Sequence, residues 1–229
     1  MKEKIGIVGY GRMGHALAGR LTEYYDVLVC DIREDIRGES GIKLVDAKSL
    51  FSICRYILLC VNQEDMESVV QGNKNDCMAG TYLINIATDY PTKKLSEMVS
   101  DISGIEVVTA KIMGQYLAIE KGMPVVVITD EIEANKFSVV QSVFSMFSTI
   151  IKRDTKAVKV INHEITKRAI CMLLEAYHYC EEQGMPKEVY EIAVKAIATG
   201  TIEEFYQYTD NDYIKRIMDE IRNGEKNEG

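Results

Sequence analysis

The chain of 229 residues has no tryptophan, only three prolines and only three histidines. So little proline, with no serine- or glycine-rich run, leaves no long disordered linker to expect. No apolar stretch approaches the roughly 20 residues of a membrane span. The start, Met1-Lys2-Glu3-Lys4, lacks the apolar core and small-residue cleavage site of a signal peptide. The six cysteines, Cys30, Cys54, Cys60, Cys77, Cys171 and Cys180, form no Cys-x-x-Cys pair. They read as small buried hydrophobes in a reducing compartment, with no metal site expected. The expected location is cytoplasmic. Positive charge is also scarce, with 27 Lys and Arg against 35 Asp and Glu, for a formal charge of -8. Such a surface repels phosphate backbones, so the expected partner is a small-molecule substrate and neither nucleic acid nor membrane. Roughly 70% of the unfolded surface can be buried at this length, so a core needs no disulfide or metal staple.

What is present is alternation. Short, mostly β-branched apolar runs at 5–9, 26–30, 42–45, 56–61, 82–86, 106–110, 125–128 and 150–152 read as strands covered on both faces. Helical patterns at 12–24, 64–71, 92–100 and 131–147 lie between them. This order predicts an α/β fold, a Rossmann-type doubly wound and mostly parallel sheet, over residues 1–153. After Lys152 the strand signals stop. Residues 155–183 hold no Gly or Pro and read as one helix of about 43 Å. Gly184 then stops it and Pro186 starts the next. Helices at 187–198 and 202–208 and a charged segment at 213–222 follow, with a frayed tail at 223–229. Residues 154–229 are therefore expected to form a small all-helical C-terminal domain. Ile161, Ile165, Ile170, Leu173, Leu174, Tyr177 and Cys180 are too widely spread around the long helix for one narrow stripe. Burial from two sides is expected, one of them a second copy, which predicts a homodimer through the C-terminal helices.

The most informative stretch is Gly9-Tyr10-Gly11-Arg12-Met13-Gly14, after an apolar strand and before an amphipathic helix. Gly9 allows the tight turn, Gly11 lets backbone approach a pyrophosphate, and Gly14 lets helix pack closely on strand. The helix start then offers unpaired N–H groups to an anion. Arg12 and Met13 belong to the same turn, and Arg12 can reach a pyrophosphate or remain solvated. Asp31 ends the second strand twenty residues beyond Gly11, where an acid binds ribose hydroxyls. With Ile32 and Arg33 it defines the adenosine end of the site. The expected cofactor is NAD or NADP. Asp31 favours NAD slightly, since a carboxylate repels a 2′-phosphate, while Arg33 can turn toward one. Ligands in such sheets lie at the carboxyl ends of strands, so Val61, Asn62, Ala87 and Thr88 are expected on the nicotinamide side.

Hydride transfer needs a proton donor or acceptor near the reacting carbon. Lys111 follows an apolar strand, and Lys159 lies near the start of the long helix with Asn162 and His163 a turn later. These four are the catalytic candidates. His15 and His178 read as structural, while Tyr116, Tyr177 and Tyr179 can donate to a substrate or simply pack.

The Gly-x-Gly-x-Met-Gly motif, the strand order and the helical C-terminal part resemble the β-hydroxyacid dehydrogenase superfamily. Its members include 6-phosphogluconate dehydrogenase, pyrroline-5-carboxylate reductase, prephenate dehydrogenase and the deazaflavin-dependent NADP reductases. Val107–Ala110 and Met123–Asp130 look like the last strands of the deazaflavin-dependent reductases. Residues 175–200, with Gly184-Met185-Pro186, resemble the dimerisation helices of pyrroline-5-carboxylate reductase. The resemblance implies a homodimer with its active site between domains. It also carries departures. The pyrroline reductases have a Ser/Gly-rich segment entering the long helix, where this chain has Val158-Lys159-Val160-Ile161-Asn162-His163. Hydroxyacid dehydrogenases have a Lys there with an Asn about one turn on, which Lys159 and Asn162 match one residue short. Prephenate dehydrogenases have His-Pro-Met-x-Gly where this chain has Lys111-Ile112-Met113-Gly114.

The leading expectation is an NAD(P)-dependent oxidoreductase moving a hydride between nicotinamide and a small carbonyl, imine or hydroxyacid. The alternative is a non-catalytic nucleotide sensor, since the glycine turn with Asp31 also looks like the regulatory domains of potassium channels. Another adenosine ligand, such as S-adenosylmethionine, is a third possibility, because fold does not fix function.

Overall fold

The computed structural model describes residues 2–33, 36, 40–131, 133–207 and 211–225. The chain divides into two compact units, Met1–His163 and Glu164–Gly229. The turn before the long helix lies near the boundary expected at Asp154, whereas the division falls inside the helix itself.

The first unit is built on six parallel strands: β1 (Lys4–Val8), β2 (Asp26–Cys30), β3 (Ile42–Leu44), β4 (Tyr56–Leu59), β5 (Thr81–Asn85) and β6 (Ile105–Thr109). Their order is β3-β2-β1-β4-β5-β6, so the direction of winding reverses between β1 and β4. Helices α1 (Arg12–Leu21), α2 (Ala47–Ile53), α3 (Gln63–Asn73) and α4 (Thr92–Met98) connect them. The apolar runs are nearly continuous because both faces are covered. Side chains alternate across the strand, so Ile5 and Ile7 pack with Leu17, Leu21, Val140 and Phe144 on one face. Val8, Ile57 and Leu59 pack with Leu50, Phe51 and Met66 on the other. A fully buried Leu or Ile of this kind stabilises the fold by about 1.5–3 kcal/mol.

The chain then leaves the six-stranded sheet. β7 (Lys111–Met113) runs antiparallel to β8 (Val125–Thr129), which pairs in parallel with β9 (Ser148–Lys152). α5 (Tyr116–Glu120) and α6 (Ala134–Phe144) lie between these strands in the chain. Next comes α7 (Lys156–Glu182), whose first two turns belong to the first unit.

In the second unit the rest of α7 is followed by α8 (Lys187–Gln207) and α9 (Asp212–Glu225). Gly184 turns the chain with φ +70°, a backbone shape that favours glycine. Tyr190 is buried against Tyr177, ring centroids 5.4 Å apart, and its hydroxyl donates to Glu181 at 2.5 Å. Ile165, Ile170 and Leu174 on α7 and Val189, Ile192 and Ile197 on α8 are all more than half exposed. Among the described residues of the second unit, these apolar side chains are left uncovered.

Three elements were absent from the sequence expectation: α2, β7 and α5. The two helices expected at 187–198 and 202–208 are one, because α8 runs straight through Gly200. The expected tail at 223–229 is helical as far as Glu225. Residue 208 and residues 226–229 lie outside the described residues.

Candidate functional site

The glycine turn leaves β1 where the winding reverses, the usual ligand crevice of an open α/β sheet. Gly9 has φ +92°, and a Cβ there would stand 2.8 Å from the Cys60 carbonyl oxygen. A Cβ on Gly14 would be driven into the carbonyl of Gly9. Both positions hold the turn tightly against β4 and α1. Gly11 differs, since a Cβ there would meet nothing within 4 Å. It is the N-cap of α1, and no side chain caps the helix. The first-turn amides thus face a position open to an anion.

A cleft of about 560 Å³ opens beside this turn, lined by Gly9, Gly11, Asp31, Ile32, Arg33, Val61 and Asn62 among others. Its size is ordinary for a cofactor pocket. The cradle at Gly11, the uncapped helix and the cleft fit a dinucleotide diphosphate. Cys30 and Cys60 also border the cleft. Burial pushes the Cys30 thiol up to about 12 and the Cys60 thiol up as well, so both stay neutral.

Asp31 is held by its own chain. One carboxylate oxygen accepts from the Tyr10 N–H at 2.6 Å and from Arg33 Nη2 at 3.3 Å. The other accepts from the Arg33 N–H at 2.9 Å and from Arg33 Nε at 3.0 Å. Burial raises its pKa, but the hydrogen bonds from Arg33 and Tyr10 outweigh this and hold the carboxyl below the ordinary carboxylate value. Ile32 is 89% exposed.

Arg12, Met13 and Gly14 are not among the lining residues. The Arg12 guanidinium lies 5.4 Å over the Tyr116 ring, and Met13 packs against the core. His15 Nδ1 sits 3.0 Å from Glu120, which ties α1 to α5.

A second polar group forms where β5 ends. Lys111 is only 4% exposed, and its ammonium donates to the carbonyls of Ala87 and, at 3.2 Å, of Tyr90. Burial pulls its pKa down to about 8, against the opposing pull of Asp130 and Asp89. Asn85 donates to the same Tyr90 carbonyl at 2.9 Å. Lys159 lies 2.9 Å from Asp89, and Asn162 donates to the Ile112 carbonyl at 3.0 Å. Loop 86–91, β7 and the first turns of α7 thus meet at one junction. It brings together Lys111, Lys159, Asn162 and Ala87, with exposed Thr88 beside them. His163, the next residue of α7, is exposed.

The sequence reading missed Asp46, Asp65 and Ser68 on the cleft wall, and Asp130 facing Lys111. Asp46 had a visible signal. It stands three residues before Ser49 and accepts that residue's N–H at 2.8 Å as the N-cap of α2.

Residues 4–89 match the family described as NADP oxidoreductase coenzyme F420-dependent. The fold extends over nearly the whole chain in solved structures. Plasmodium falciparum pyrroline carboxylate reductase with NADP bound matches with a TM-score of 0.70 at 17% identity, over 96% of this chain and 84% of that one. Imine reductase from Myxococcus stipitatus in complex with NADP+ matches with a TM-score of 0.65 at 16% identity, over 95% and 78%. Mycobacterium tuberculosis 3-hydroxyisobutyrate dehydrogenase with L-serine matches with a TM-score of 0.63 at 15% identity, over 82% and 68%. The chain shares the fold of these solved structures. No curated protein matches it by sequence. In this fold the glycine turn, Asp31 and the β5 loop all stand at the carboxyl ends of strands. Among the described residues no helix is long and apolar enough to cross a membrane, and no cluster of three metal-binding side chains occurs.

Proposed function

We propose that the protein is an NAD(P)-dependent oxidoreductase that moves a hydride between nicotinamide and a small carbonyl, imine or hydroxyacid. The observation that carries this reading is Gly11, an uncapped helix start open to a cleft of dinucleotide size. The match of residues 4–89 to an NADP oxidoreductase family supports it. When bound, the nicotinamide supplies the hydride chemistry, and the protein supplies position and proton transfer.

Gly9, Gly11 and the first turn of α1 hold the diphosphate, with Asp31, Ile32 and Arg33 at the adenosine end. Val61, Asn62, Ala87 and Thr88 form the wall toward the nicotinamide. Lys111 acts by holding loop 86–91 through two backbone carbonyls, since its ammonium is buried there. Lys159 is the substrate-facing acid or base. It is 66% exposed and kept in place by Asp89, with Asn162 anchoring its helix to β7. The exposed apolar faces of α7 and α8 support a homodimer.

The test is calorimetric titration with NADPH and NADH. Loss of the reduced-nicotinamide absorbance is then followed with cyclic imines and keto acids. Turnover of one substrate class is expected. Tight binding without turnover across the panel would replace the enzyme reading with the sensor.

A further inference from the structure

The turn after β5 is short and closed. The Tyr90 N–H donates to the Ala87 carbonyl at 3.4 Å, which leaves Thr88 and Asp89 as its two central, exposed residues. Asp89 meets Lys159 at 2.9 Å. From one side the turn is held by β5 and β7, through the bonds of Asn85 and Lys111 to its main chain. From the other side it is held by a side chain. Tyr90 is 3% exposed and belongs to the apolar cluster that contains Met66 and Val70 of α3. Its hydroxyl donates to Glu67 of the same helix at 3.1 Å. Lys94 of α4 donates to the same Glu67 oxygen at 2.5 Å. The bonds from Lys94 and Tyr90 hold that carboxyl below the ordinary carboxylate value, so the hydroxyl meets an ionised acceptor.

The helix reached in this way also walls the cofactor cleft. Asp65, Ser68, Val69 and Asn73 line the cleft that Asp31 and Arg33 line. At 3.6 residues per turn these four share one face of α3, and Glu67 lies on the opposite one. We propose that Tyr90 is a positioning residue: its hydroxyl joins the turn beside Lys159 to the helix beside the adenosine, so that filling the adenosine end steadies the turn. The inference rests on the dinucleotide reading of the cleft. Main-chain anchors on one side leave the turn able to pivot, and the bond from the phenol is its second fixed point. A ligand that stiffens α3 stiffens the turn through that bond. Asp89, and the Lys159 ammonium it holds, are thereby set in place before substrate arrives.

Backbone hydrogen exchange on the full chain tests this with ADP, which carries adenosine and diphosphate but no nicotinamide to touch the turn. In the wild type, ADP is expected to slow exchange several-fold both in α3 and in residues 87–90. Tyr90→Phe keeps the buried ring and loses only the hydroxyl. It should bind ADP with unchanged affinity and still protect α3, while the protection of 87–90 is lost. Glu67→Gln keeps an acceptor and retains most of that protection. Glu67→Leu removes it, and answers the question from the exposed side of the bond if the Tyr90 variant fails to fold. On a substrate that turns over, Tyr90→Phe should lower kcat several-fold with the cofactor dissociation constant unchanged. A wild-type turn that does not respond to bound ADP overturns the inference. So does a Tyr90→Phe variant that protects the turn as the wild type does, or that keeps its full kcat. If neither ADP nor NADPH binds, the dinucleotide reading falls together with the inference, a result distinct from binding without a response in the turn.

Discussion

Gly14 sits directly against the carbonyl of Gly9, with no room between them for a methyl group. Three positions earlier, Gly11 looks into open space. Two glycines of one motif should therefore fail differently. Gly14→Ala forces backbone apart and should cost about 3 kcal/mol or more. Gly11→Ala needs no adjustment, since its φ of -74° and ψ of -170° suit any residue, and should stay within about 0.5 kcal/mol of wild type. Urea unfolding of the two variants measures the contrast, and equal destabilisation would refute the packing described for the turn.

Lys111 should leave a signature in the pH dependence of stability. Its pKa is about 8 in the fold against 10.5 for an ordinary lysine. Between these values the unfolded chain keeps the proton and the folded chain releases it. Stability therefore rises with pH across that window, and the cost of burying the charge is fully present below it. The rise attributable to this residue is of the order of 3 kcal/mol. Tyrosines titrate in the same range, so the comparison is wild type against Lys111→Met, which keeps them all. The difference between the two curves should change from pH 8 to 10.5. Parallel curves would show that Lys111 is not a buried cation.

Lys159 and Asn162 should separate chemistry from stability. The Lys159–Asp89 pair is exposed, so Lys159→Met should change stability by less than about 1 kcal/mol. It should lower kcat severely and leave the dissociation constant for the cofactor unchanged. Asn162→Ala loses a bond to the Ile112 carbonyl and should cost about 1 kcal/mol. Steady-state kinetics on whichever imine or keto acid proves to be a substrate decide the matter. An unaltered kcat in Lys159→Met would remove this lysine from the reaction.

The uncovered faces of α7 and α8 should bury each other across a two-fold axis. Sedimentation equilibrium is expected to give about twice 25.8 kDa for the wild type. A charge placed on this surface, as in Leu174→Glu or Ile192→Glu, should give a monomer that still binds dinucleotide. A wild-type monomer at micromolar concentration would overturn the dimer.

How much of this was legible in the sequence follows from the physics of each element. The inner strands β1, β2 and β4 were readable because burial on both faces makes them nearly continuous apolar runs, and the glycine motif marked the first crossover. α2 was hidden because its buried residues, Leu50 and Phe51, are adjacent and show no helical period. β7 is three residues long and opens on a lysine, and α5 has five residues, too short for any period to register. α8 passes through Gly200 because tertiary context overrides a weak local propensity. At the site, sequence placed Asp31 correctly at the end of β2 but had no means of seeing its four hydrogen bonds. These depend on how the Arg33 side chain folds back, which no spacing encodes.

The central claim is that backbone at the start of α1 receives a dinucleotide diphosphate. Calorimetric titration of NADPH into the wild-type chain and into Gly11→Ala tests it most directly. One molecule per chain at micromolar affinity is expected for the wild type, with binding at least tenfold weaker in the folded variant. No heat at millimolar cofactor, or equal affinity in the two proteins, would contradict it.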